Sequence, residues 1–423
     1  MGENKKNEYA LCIIGGAGHV GLPLGVVMAN SGVKTVLFDI NSVALKKIKE
    51  GIFPFKEKGG VVALKKALGS GRLFVSDNPE SISKSEAVLL VVGTPLDEYL
   101  NPKLDSILKV VGDYFNYFFD GQILILRSTV FPGTSEMVQG YFQQKGKTVN
   151  VAFCPERIVE GQAIEELLSL PQIVSAFDDK TLSFVRRLFS KITAKRMVVL
   201  NPIEAELAKL FCNSWRYIKF AAANSFYMLA ASHGLDYHKI DQAIKNDYRR
   251  MEDLPSPGFA AGPCLLKDTM QLAAFYNHNF FLGHAAMLVN EGLPNFVVNT
   301  LKSHPQLAGG NVNKKKAVAS LASISGVLPT SLKDKRVGIL GMAFKAESDD
   351  KRDSLAYKLK KILNSQCRKV LCHDFYIKDK SFVSLQTVLA QSDIIVLAAP
   401  HKAYQKINPK RYKNKLFIDV WNF

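Results

Sequence analysis

The stretch of sequence that decides the fold runs from Leu11 to Gly21 and reads LCIIGGAGHVG. Its apolar start, Leu11–Ile14, predicts a β-strand, and GAGHVG then supplies the pattern GxGxxG before a helical pattern begins. Glycines at this spacing allow a tight turn, close approach of the backbone to a pyrophosphate, and close packing of helix on strand. We therefore predict a doubly wound sheet with a dinucleotide site at Gly16, Gly18, His19, Val20 and Gly21.

The next strand ends are also predicted to carry ligand contacts. Asp39 ends a predicted strand, Thr35–Asp39, where a carboxylate accepts hydrogen bonds from adenosine ribose hydroxyls and disfavours a 2′-phosphate. It therefore predicts NAD rather than NADP. Thr94 and Thr129 follow two later strands, at the edge where open α/β sheets bind ligands, and we expect them to meet cofactor or substrate. The alternative for each residue is an ordinary turn position.

Two groups of short apolar runs predict two sheets. The remaining predicted strands are Ala87–Val92, Ile123–Ser128, Val149–Phe153, one near Met197–Leu200, Val337–Leu340, Lys369–His373, Ile394–Ala398 and Leu416–Val420. Strands that alternate with helical patterns are typical of parallel sheets. The predicted fold class is α/β, with two Rossmann-like doubly wound parallel-sheet domains, 1–200 and 306–423, joined by a helical central domain, 201–305.

The central domain opens with a helix-start signal. Asn201 suits an N-cap, Pro202 the first helical position, and Glu204 the acidic position of a capping box. A long helix is predicted from Ile203 to Ser232. The segment His304–Lys316, with Pro, Gly-Gly and Asn, is typical of a loop or linker.

Composition limits the classes of function. With 55 Lys and Arg against 38 Asp and Glu, the formal net charge is +17. The basic residues are scattered in short runs, so we predict no nucleic-acid partner, whereas a positive field also attracts polyanionic dinucleotides and sugar nucleotides. The sequence shows neither an apolar signal core nor the ~18–20 apolar residues of a membrane span, which predicts a cytoplasmic protein without membrane association. Six cysteines without CxxC pairs or zinc spacing predict reduced thiols and no metal site.

Three segments carry candidate chemistry. In GFAAGPCLLKD, residues 258–268, Gly and Pro crowd Cys264, and Lys267 and Asp268 follow within one turn, as a reactive thiolate and a nearby base require. A buried cysteine beside a surface ion pair is an equal alternative. Lys209 and Asn213 share one face of the long helix with Glu206 and could stabilise an oxyanion, although a solvated face usually explains a lysine. In CPERIVEG, residues 154–161, two carboxylates follow a strand and could do acid–base work or hold a substrate. The alternative is a loop with acids at a helix start, and Cys154 suits packing.

These motifs together resemble the UDP-glucose/GDP-mannose dehydrogenase family, the nucleotide-sugar 6-dehydrogenases, over roughly residues 10 to 423. The pieces occur in family order: GAGHVGLPLG, FDIN, VVGTP, STVFPGT, CPERIVEG, AELAKLFCNS, GFAAGPCLLKD, GILGMAFKAESDDKRDS and FIDVWN. The resemblance implies NAD-dependent oxidation of a C6 alcohol to an acid in two hydride transfers, through a thiohemiacetal and a thioester on a cysteine. It assigns the catalytic roles to Cys264, Lys209, Asn213, Asp268, Thr129 and Glu156.

The resemblance also implies the binding residues. Asn213 and Lys209 would stabilise oxyanions, and Thr129 and Glu156 would position water or the C6 group. The cofactor-binding set would add Asp39, Thr94, Thr129, Glu160 and Lys345 to the glycine loop. The substrate-binding set would be Glu156, Arg157, Lys209, Asn213, Arg249, Gly262 and Arg352. Arg249 resembles an arginine that reaches the partner subunit's substrate, with Arg250 as the alternative register, and the long helix resembles a dimerisation helix, so we expect a homodimer.

The substrate order rests on mixed features. PER at 155–157 resembles members that act on UDP-N-acetylhexosamines, whereas Lys267-Asp268 resembles the UDP-glucose and GDP-mannose groups, and Gly262-Pro263 replaces a frequent Gly-Gly. The predicted order is a UDP-N-acetylhexosamine of GlcNAc or ManNAc type, then UDP-glucose, then GDP-mannose. The product would suit polysaccharide biosynthesis by family analogy. Competing interpretations are a two-electron hydroxyacid-type dehydrogenase, which needs neither Cys264 nor a second α/β domain, and a non-catalytic sugar-nucleotide binder.

Overall fold

The structure is a computed structural model of the 423-residue chain, and it describes residues 7–103, 105–260, 262–304, 331–412 and 414–422. The chain divides into two compact units. The first unit comprises residues 1–212 and 270–277, and the second comprises 213–269 and 278–423. The division into three domains stays a prediction.

The described chain contains strands and helices in alternation. The strands are β1 (Tyr9–Ile14), β2 (Thr35–Phe38), β3 (Leu73–Ser76), β4 (Ser85–Leu90), β5 (Ile123–Leu126), β6 (Asn150–Phe153), β7 (Ile173–Ala176), β8 (Val198–Val199), β9 (Arg336–Leu340), β10 (Lys369–His373), β11 (Ile394–Leu397) and β12 (Leu416–Asp419). The helices of the first α/β region are α1 (Gly21–Asn30), α2 (Ser42–Lys49), α3 (Gly60–Gly69), α4 (Glu80–Ser83), α5 (Asp105–Asp113), α6 (Thr134–Gln144), α7 (Ala163–Ser169) and α8 (Asp179–Phe189). The later helices are α9 (Pro202–Ser232), α10 (Tyr237–Lys245), α11 (Leu265–Phe275), α12 (Phe281–Lys302), α13 (Leu355–Asn364) and α14 (Leu385–Gln391).

The first unit is built on an eight-stranded sheet with the order β3-β2-β1-β4-β5-β6-β7-β8. Strands β1 to β6 pair in parallel, which confirms the predicted doubly wound sheet. Strand β7 is antiparallel to β6, and β8 pairs in parallel with β7. The expectation that the strand near Met197–Leu200 extends a parallel sheet was therefore wrong in direction, because the unpredicted strand β7 reverses the chain before it.

Helices cover both faces of this sheet, so its central strands are apolar on both sides. Leu11 and Ile13 of β1 pack into one buried cluster, while Cys12 and Ile14 pack into the other. This burial explains why β1 appears in the sequence as a continuous apolar run and not as an alternation. The run ends before Gly15, at the carboxyl edge of the sheet.

The second unit carries a four-stranded parallel sheet with the order β10-β9-β11-β12. Its main core joins apolar residues of α12 and α13 to the sheet, including Leu293, Leu359 and Ile339. A buried polar link lies among the helices, where Asn224 exchanges hydrogen bonds with the backbone of Gly258 and donates to Asn290. Within the described residues, no helix has both the length and the apolarity that a bilayer crossing requires.

The start of α9 follows the predicted signal. Pro202 is its first residue, and the Glu204 carboxylate accepts a 2.8 Å hydrogen bond from the Asn201 backbone N–H, as in a capping box. Both α9 and α11 continue from one unit into the other. Apart from His304, the predicted linker His304–Lys316 lies outside the described residues.

Candidate active site

The glycine loop between β1 and α1 leaves room for a phosphate at one position. A Cβ built on Gly16 would lie 2.8 Å from the Cα of Leu37, and one on Gly21 would overlap the carbonyl of Gly15. A Cβ on Gly18 would meet only the Gly15 oxygen, at 3.5 Å. Gly16 and Gly21 therefore permit close packing, whereas Gly18 faces open space that fits a pyrophosphate. Val20 is the N-cap residue of α1, whose N-terminus favours anions.

Asp39 lies directly beside this loop. Its carboxylate accepts 2.9 Å hydrogen bonds from the backbone N–H groups of Ala17 and Asn41. The residue is half-buried, so its oxygens keep access to solvent while the loop is held against β2. This arrangement is suited to accept ribose hydroxyls, as the sequence predicted for Asp39.

Two further predicted cofactor residues meet in the first unit. His19 Nδ1 lies 2.5 Å from Glu160 Oε1, although the two residues are far apart in sequence. The ring of His19 packs against the ring of Phe55, with 3.9 Å between the ring centroids and 31° between the ring planes. The loop that carries Glu160 is thereby connected to the glycine loop. The proposed cofactor role of both residues is consistent with this position.

Thr94 and Thr129 also lie together. The Thr94 hydroxyl donates a 2.6 Å hydrogen bond to the Thr129 carbonyl, and both residues are half-buried. Beside them, Ser128 Oγ accepts from the Val92 N–H and donates to the Val92 carbonyl. These bonds hold the ends of β4 and β5 in register at the edge where ligands bind in such sheets.

Glu156 and Lys209 form a buried ion pair. Lys209 Nζ lies 3.1 Å from Glu156 Oε1, and Lys209 is only 4% exposed, which is incompatible with the alternative of a solvated helix face. The other oxygen of Glu156 accepts a 2.7 Å hydrogen bond from the Ile158 N–H. The guanidinium of the neighbouring Arg157 donates a hydrogen bond to the Pro171 carbonyl. An ion pair with so little water around it is a strong local electrostatic feature.

Glu206, one turn before Lys209, links α9 to the start of α6. Its carboxylate accepts hydrogen bonds from the N–H groups of Gly133 and Ser135 and from the Ser135 hydroxyl, at 2.6 to 2.8 Å. These donors lie at the start of α6, so Glu206 caps that helix and fixes α9 against it. Burial raises the pKa of Glu206, and the bonds from Ser135 and Gly133 oppose that shift.

Cys264 lies immediately before α11 in the second unit, and it is exposed. The Asp268 N–H bonds the Cys264 carbonyl at 2.9 Å, so the thiol stands at the start of the first helical turn, where partial positive charge stabilises a thiolate. Gly262 has a φ of +106°, and a Cβ there would lie 2.5 Å from the ring of Phe344. Glycine is therefore required two residues before the thiol.

Asp268, four residues after Cys264, is completely buried, and each of its carboxylate oxygens lies close to a polar partner. Lys267 Nζ lies 2.6 Å from Asp268 Oδ1, and the Asn213 amide donates a 2.5 Å hydrogen bond to Asp268 Oδ2. The alternative of a buried cysteine beside a surface ion pair is therefore wrong, because the thiol is exposed and the carboxylate is buried. The structure brings Asn213 and Asp268 together, as the proposed roles require.

The remaining predicted residues are basic and lie in the second unit. Arg249 and Arg250 are exposed in a 3₁₀ turn, Arg249–Met251. Lys345 Nζ lies 5.9 Å from the ring centroid of Phe344. Arg352 is paired with its neighbour Asp350, at 2.8 Å from Nε and 2.5 Å from the terminal nitrogen.

Three models of one family match this chain. The NAD binding domain of the UDP-glucose/GDP-mannose dehydrogenase family matches residues 9–193, its central domain 203–291, and its UDP binding domain 338–423. The chain belongs to the UDP-glucose/GDP-mannose dehydrogenase family. Its cofactor is NAD, and the protein is an NAD-dependent nucleotide-sugar dehydrogenase. The third model indicates a UDP-linked substrate.

Relatives of this dehydrogenase match over nearly the whole chain. It is 28% identical over 417 residues to the UDP-N-acetyl-D-mannosamine dehydrogenase of Pyrococcus horikoshii, covering 96% of this chain and 94% of the relative. The corresponding enzyme of Methanocaldococcus jannaschii is 28% identical over 432 residues, covering 97% and 92%. The solved structure of UDP-D-ManNAc dehydrogenase from Pyrococcus horikoshii superposes with a TM-score of 0.84 at 26% identity, covering 97% of this chain and 95% of that one.

Sequence reasoning missed a buried arginine in the NAD-binding region of this dehydrogenase. Arg127 is fully buried and donates to the Cys154 carbonyl at 2.9 Å and to the Gln172 side chain at 3.0 Å. Burial lowers the pKa of Arg127, while the charge of Glu156 opposes that shift. Arg127 thus supports the turn that leads to Glu156. Its only signal in the sequence is a cation that interrupts an apolar strand end.

Cys154 itself is a packing residue, in agreement with the sequence interpretation. It is fully buried in the same core cluster as Leu11 and Ile13. Burial raises the pKa of the Cys154 thiol to about 12, so a thiolate does not form there at neutral pH. Cys264 is therefore the better candidate for covalent chemistry.

Proposed function

We propose that this protein oxidises the C6 alcohol of a UDP-N-acetylhexosamine to the carboxylate in two hydride transfers, through a thioester on Cys264. The observation that carries the mechanism is the exposed Cys264 thiol at the start of α11, backed by the buried Asn213–Asp268 hydrogen bond. The substrate class is supported by the two archaeal relatives, whose names specify UDP-N-acetyl-D-mannosamine. The PER sequence at 155–157 favours the same class.

The glycine loop and its neighbours fit NAD. Gly18 leaves room for the pyrophosphate, the start of α1 supplies N–H donors, and Asp39 is positioned for the ribose. We assign Thr94, Thr129, His19 and Glu160 to the same site. When bound, NAD supplies the hydride acceptor for each of the two oxidation steps.

Glu156 and Lys209 are proposed to handle the proton and the negative charge at the C6 oxygen. A buried ammonium paired with a carboxylate can stabilise an alkoxide, since few water molecules compete with it. Glu156, with Thr129, is proposed to position the water or the C6 group. The proton released from the alcohol leaves through this polar group to solvent.

Cys264, Asn213 and Asp268 are proposed to carry the covalent stage. The thiolate sulfur adds to the aldehyde carbon, and the resulting oxyanion takes up a proton to give a thiohemiacetal. This addition captures the aldehyde and makes it a hydride donor, and loss of a hydride and a proton from that centre then leaves a thioester. Water then attacks the carbonyl carbon, the C–S bond breaks, and the thiol and the carboxylate are released. The Asn213 amide would stabilise the oxyanion, and Asp268 would take the proton from water.

We further propose a homodimer that forms through α9. Large apolar side chains of α9 are exposed at helical spacing, namely Trp215, Phe226 and Leu229, and Leu229 is 62% exposed. Exposed apolar helix faces of this kind are typical of subunit interfaces.

Arg249 or Arg250 would then reach the partner's substrate, and Lys345, Arg352, Arg157 and Gly262 would line the sugar-nucleotide site. The six cysteines are all thiols, which fits a cytoplasmic location.

The decisive experiment measures NADH formed per sugar consumed. The purified protein receives NAD and, separately, UDP-GlcNAc, UDP-ManNAc, UDP-glucose, UDP-galactose or GDP-mannose, and the product is identified by mass. We expect two NADH per UDP-N-acetylhexosamine, and a loss of at least about a hundredfold in product formation for Cys264→Ser. Cys212→Ser, which changes another exposed thiol, is the matched control and should keep full activity.

One NADH per sugar with a fully active Cys264→Ser would contradict the covalent mechanism and indicate a two-electron dehydrogenase. Two NADH per UDP-glucose, with the acetylated sugars inert, would support the second candidate, a UDP-glucose 6-dehydrogenase. The observation that favours that candidate is the Lys267-Asp268 sequence shortly after Cys264, whose side chains form a 2.6 Å ion pair.

A further inference from the structure

A buried histidine and aspartate of the second unit belong to none of the roles assigned above. His401 Nε2 lies 3.1 Å from Asp374 Oδ2, and neither side chain is exposed. The same oxygen accepts hydrogen bonds from the N–H groups of Met342 and Ala343, at 2.6 and 3.1 Å. Asp374 therefore holds the start of the loop that follows β9.

His401 holds the same loop at its far end. Its Nδ1 accepts a 2.9 Å hydrogen bond from the Glu347 N–H, so Nε2 carries the proton that faces Asp374. The Glu347 carboxylate in turn accepts from the Lys402 N–H and from the Tyr376 hydroxyl, both at 2.8 Å. Glu347 has a φ of +56°, a backbone conformation that a side chain other than glycine adopts only when its surroundings hold it.

The loop fixed in this way contacts the segment that leads to the thiol. Phe344 lies between the two anchored ends, and its ring packs against the Cα of Gly262, two residues before Cys264. The Ser354 hydroxyl bonds the Ala343 carbonyl at 3.1 Å, and the Gly262 N–H bonds the Asp353 carbonyl at 3.4 Å. The backbone of Gly262 is thus bounded by residues whose placement depends on the loop. Lys345, which we place in the sugar-nucleotide site, lies on the same loop.

We propose that Asp374, His401 and Glu347 form a positioning cluster that fixes the Met342–Glu347 loop, and through Phe344 and Lys345 sets the geometry of the Cys264 turn and of the sugar-nucleotide site. The cluster touches neither substrate nor cofactor in this assignment, and its effect on the reaction rests on the proposed function. Ligand-binding groups held by a second layer of hydrogen bonds lose less entropy when the ligand binds. Loosening the loop should therefore weaken binding of the nucleotide sugar more than it slows the chemical steps.

The test compares His401→Leu with Tyr376→Phe and uses His373→Leu as the matched control. His373 lies in the same domain and bonds the Tyr404 hydroxyl at 2.9 Å, and no described bond joins its side chain to the loop. Two quantities are measured on the full-length protein: the KM and kcat for the nucleotide sugar, and the rate at which iodoacetamide alkylates Cys264, located by mass spectrometry. We expect the KM of His401→Leu to rise roughly tenfold with kcat reduced less than about threefold.

The alkylation rate should change at least about threefold in His401→Leu and in the same direction, by less, in Tyr376→Phe, because alkylation depends on the turn geometry at the thiol. His373→Leu should match the unsubstituted protein in both quantities. The proposal is overturned if Tyr376→Phe and a folded His401→Leu match His373→Leu in KM and in alkylation rate. If His401→Leu does not fold, the Tyr376→Phe result alone decides.

The two proposals fail separately. If the unsubstituted protein forms no thioester product, the proposed function is wrong, yet the alkylation rates still test whether the cluster positions the Cys264 turn. If the unsubstituted protein forms two NADH per sugar and the cluster variants behave like the control, only the positioning role is wrong.

Discussion

The two sheets contain the same turn, used in two different ways. Gly15 follows β1 and Gly341 follows β9, with φ of +80° and +85°. Their N–H groups bond the last carbonyls of the neighbouring strands, Phe38 at 3.0 Å and His373 at 2.9 Å. In each case the residue directly after the neighbouring strand is an aspartate, Asp39 or Asp374, which accepts hydrogen bonds from N–H groups of the turn.

The difference between the turns lies in what fills the space above them. After Gly15 come Gly16, Ala17 and Gly18, and the turn stays open to a phosphate. After Gly341 come Met342, Ala343 and Phe344, and Met342 and Ala343 are buried. Asp39 keeps access to solvent, whereas the Asp374 side chain is enclosed by His401 and backbone donors. One backbone geometry therefore leaves open space above the turn in the first unit and is filled by side chains in the second, because side-chain volume decides what can enter.

The largest expected effect would show that the shared glycine is equally necessary in both turns. A Cβ on Gly15 or Gly341 would overlap a backbone oxygen, and both residues have positive φ. We expect Gly15→Ala and Gly341→Ala each to lower the free energy of unfolding by about 3 kcal/mol or more, since the overlap adds to the backbone strain. Urea unfolding followed by circular dichroism measures this.

The controls for that prediction are helical glycines in each unit, Gly140 and Gly292, around which a Cβ would meet nothing within 4 Å. Their change to alanine should leave stability the same or raise it by about 0.5–1 kcal/mol. If Gly341→Ala behaved like Gly292→Ala, the equivalence of the two turns would be refuted.

A second effect separates the two aspartates by pH. Burial alone would raise the pKa of Asp374, but the hydrogen bond from His401, together with N–H donors from Ile377 and Tyr376, lowers it to about 2. A lowered folded-state pKa contributes stability that is present above the unfolded value near 4 and is lost as the pH falls through 2. We expect Asp374→Asn to remove about 2 kcal/mol at pH 7 and to flatten the loss of stability between pH 4 and 2.

Thermal unfolding from pH 7 to pH 2 tests this, with Asp39→Asn measured in parallel. We expect the loss of stability between pH 4 and 2 to be flattened in Asp374→Asn and not in Asp39→Asn. Identical acid profiles for Asp374→Asn and the unsubstituted protein would mean that the buried carboxylate does not couple to folding.

The smallest effect concerns the cofactor. Asp39→Asn should raise the KM for NAD roughly tenfold, because a neutral amide accepts hydrogen bonds from ribose hydroxyls less strongly than a carboxylate does. It should also reduce the preference for NAD over NADP, because the amide repels a 2′-phosphate less. Its stability should change by less than about 1 kcal/mol. Initial rates with NAD and NADP measure the preference, and an unchanged ratio of kcat/KM values would remove Asp39 from the cofactor site.

Much of the fold could be predicted because its signals are local. The apolar run Leu11–Ile14, the glycine pattern after it and the helix start at Pro202 each depend on a few adjacent residues, and all appear in the structure. Strands β3 and β7 were not predicted from the sequence. Leu73–Ser76 and Ile173–Ala176 are only four residues long, and their flanking residues do not distinguish them from other short apolar segments. The reversal at β7 depends on pairing with β6, which no local pattern encodes.

Part of the site was predictable for the same reason, and part was not. Asp374 follows a strand just as Asp39 does, so the same rule would have found it. Arg127 and His401 could not be found in this way, because their importance comes from complete burial and from partners distant in the sequence. Likewise, only the structure shows that Lys209 is buried.

By itself the sequence determined the two sheets, the open glycine turn, the preference for NAD and the candidate thiol, because glycine spacing, apolar runs and helix-start residues act over one or two turns of chain. Only the tertiary structure decided which charges are buried and that Asp374 is enclosed whereas Asp39 stays accessible to solvent. It also decided that the loop with Phe344 packs against Gly262. Those properties depend on how much water remains around a group once distant segments have packed, and burial of that kind is a property of the fold and not of neighbouring residues.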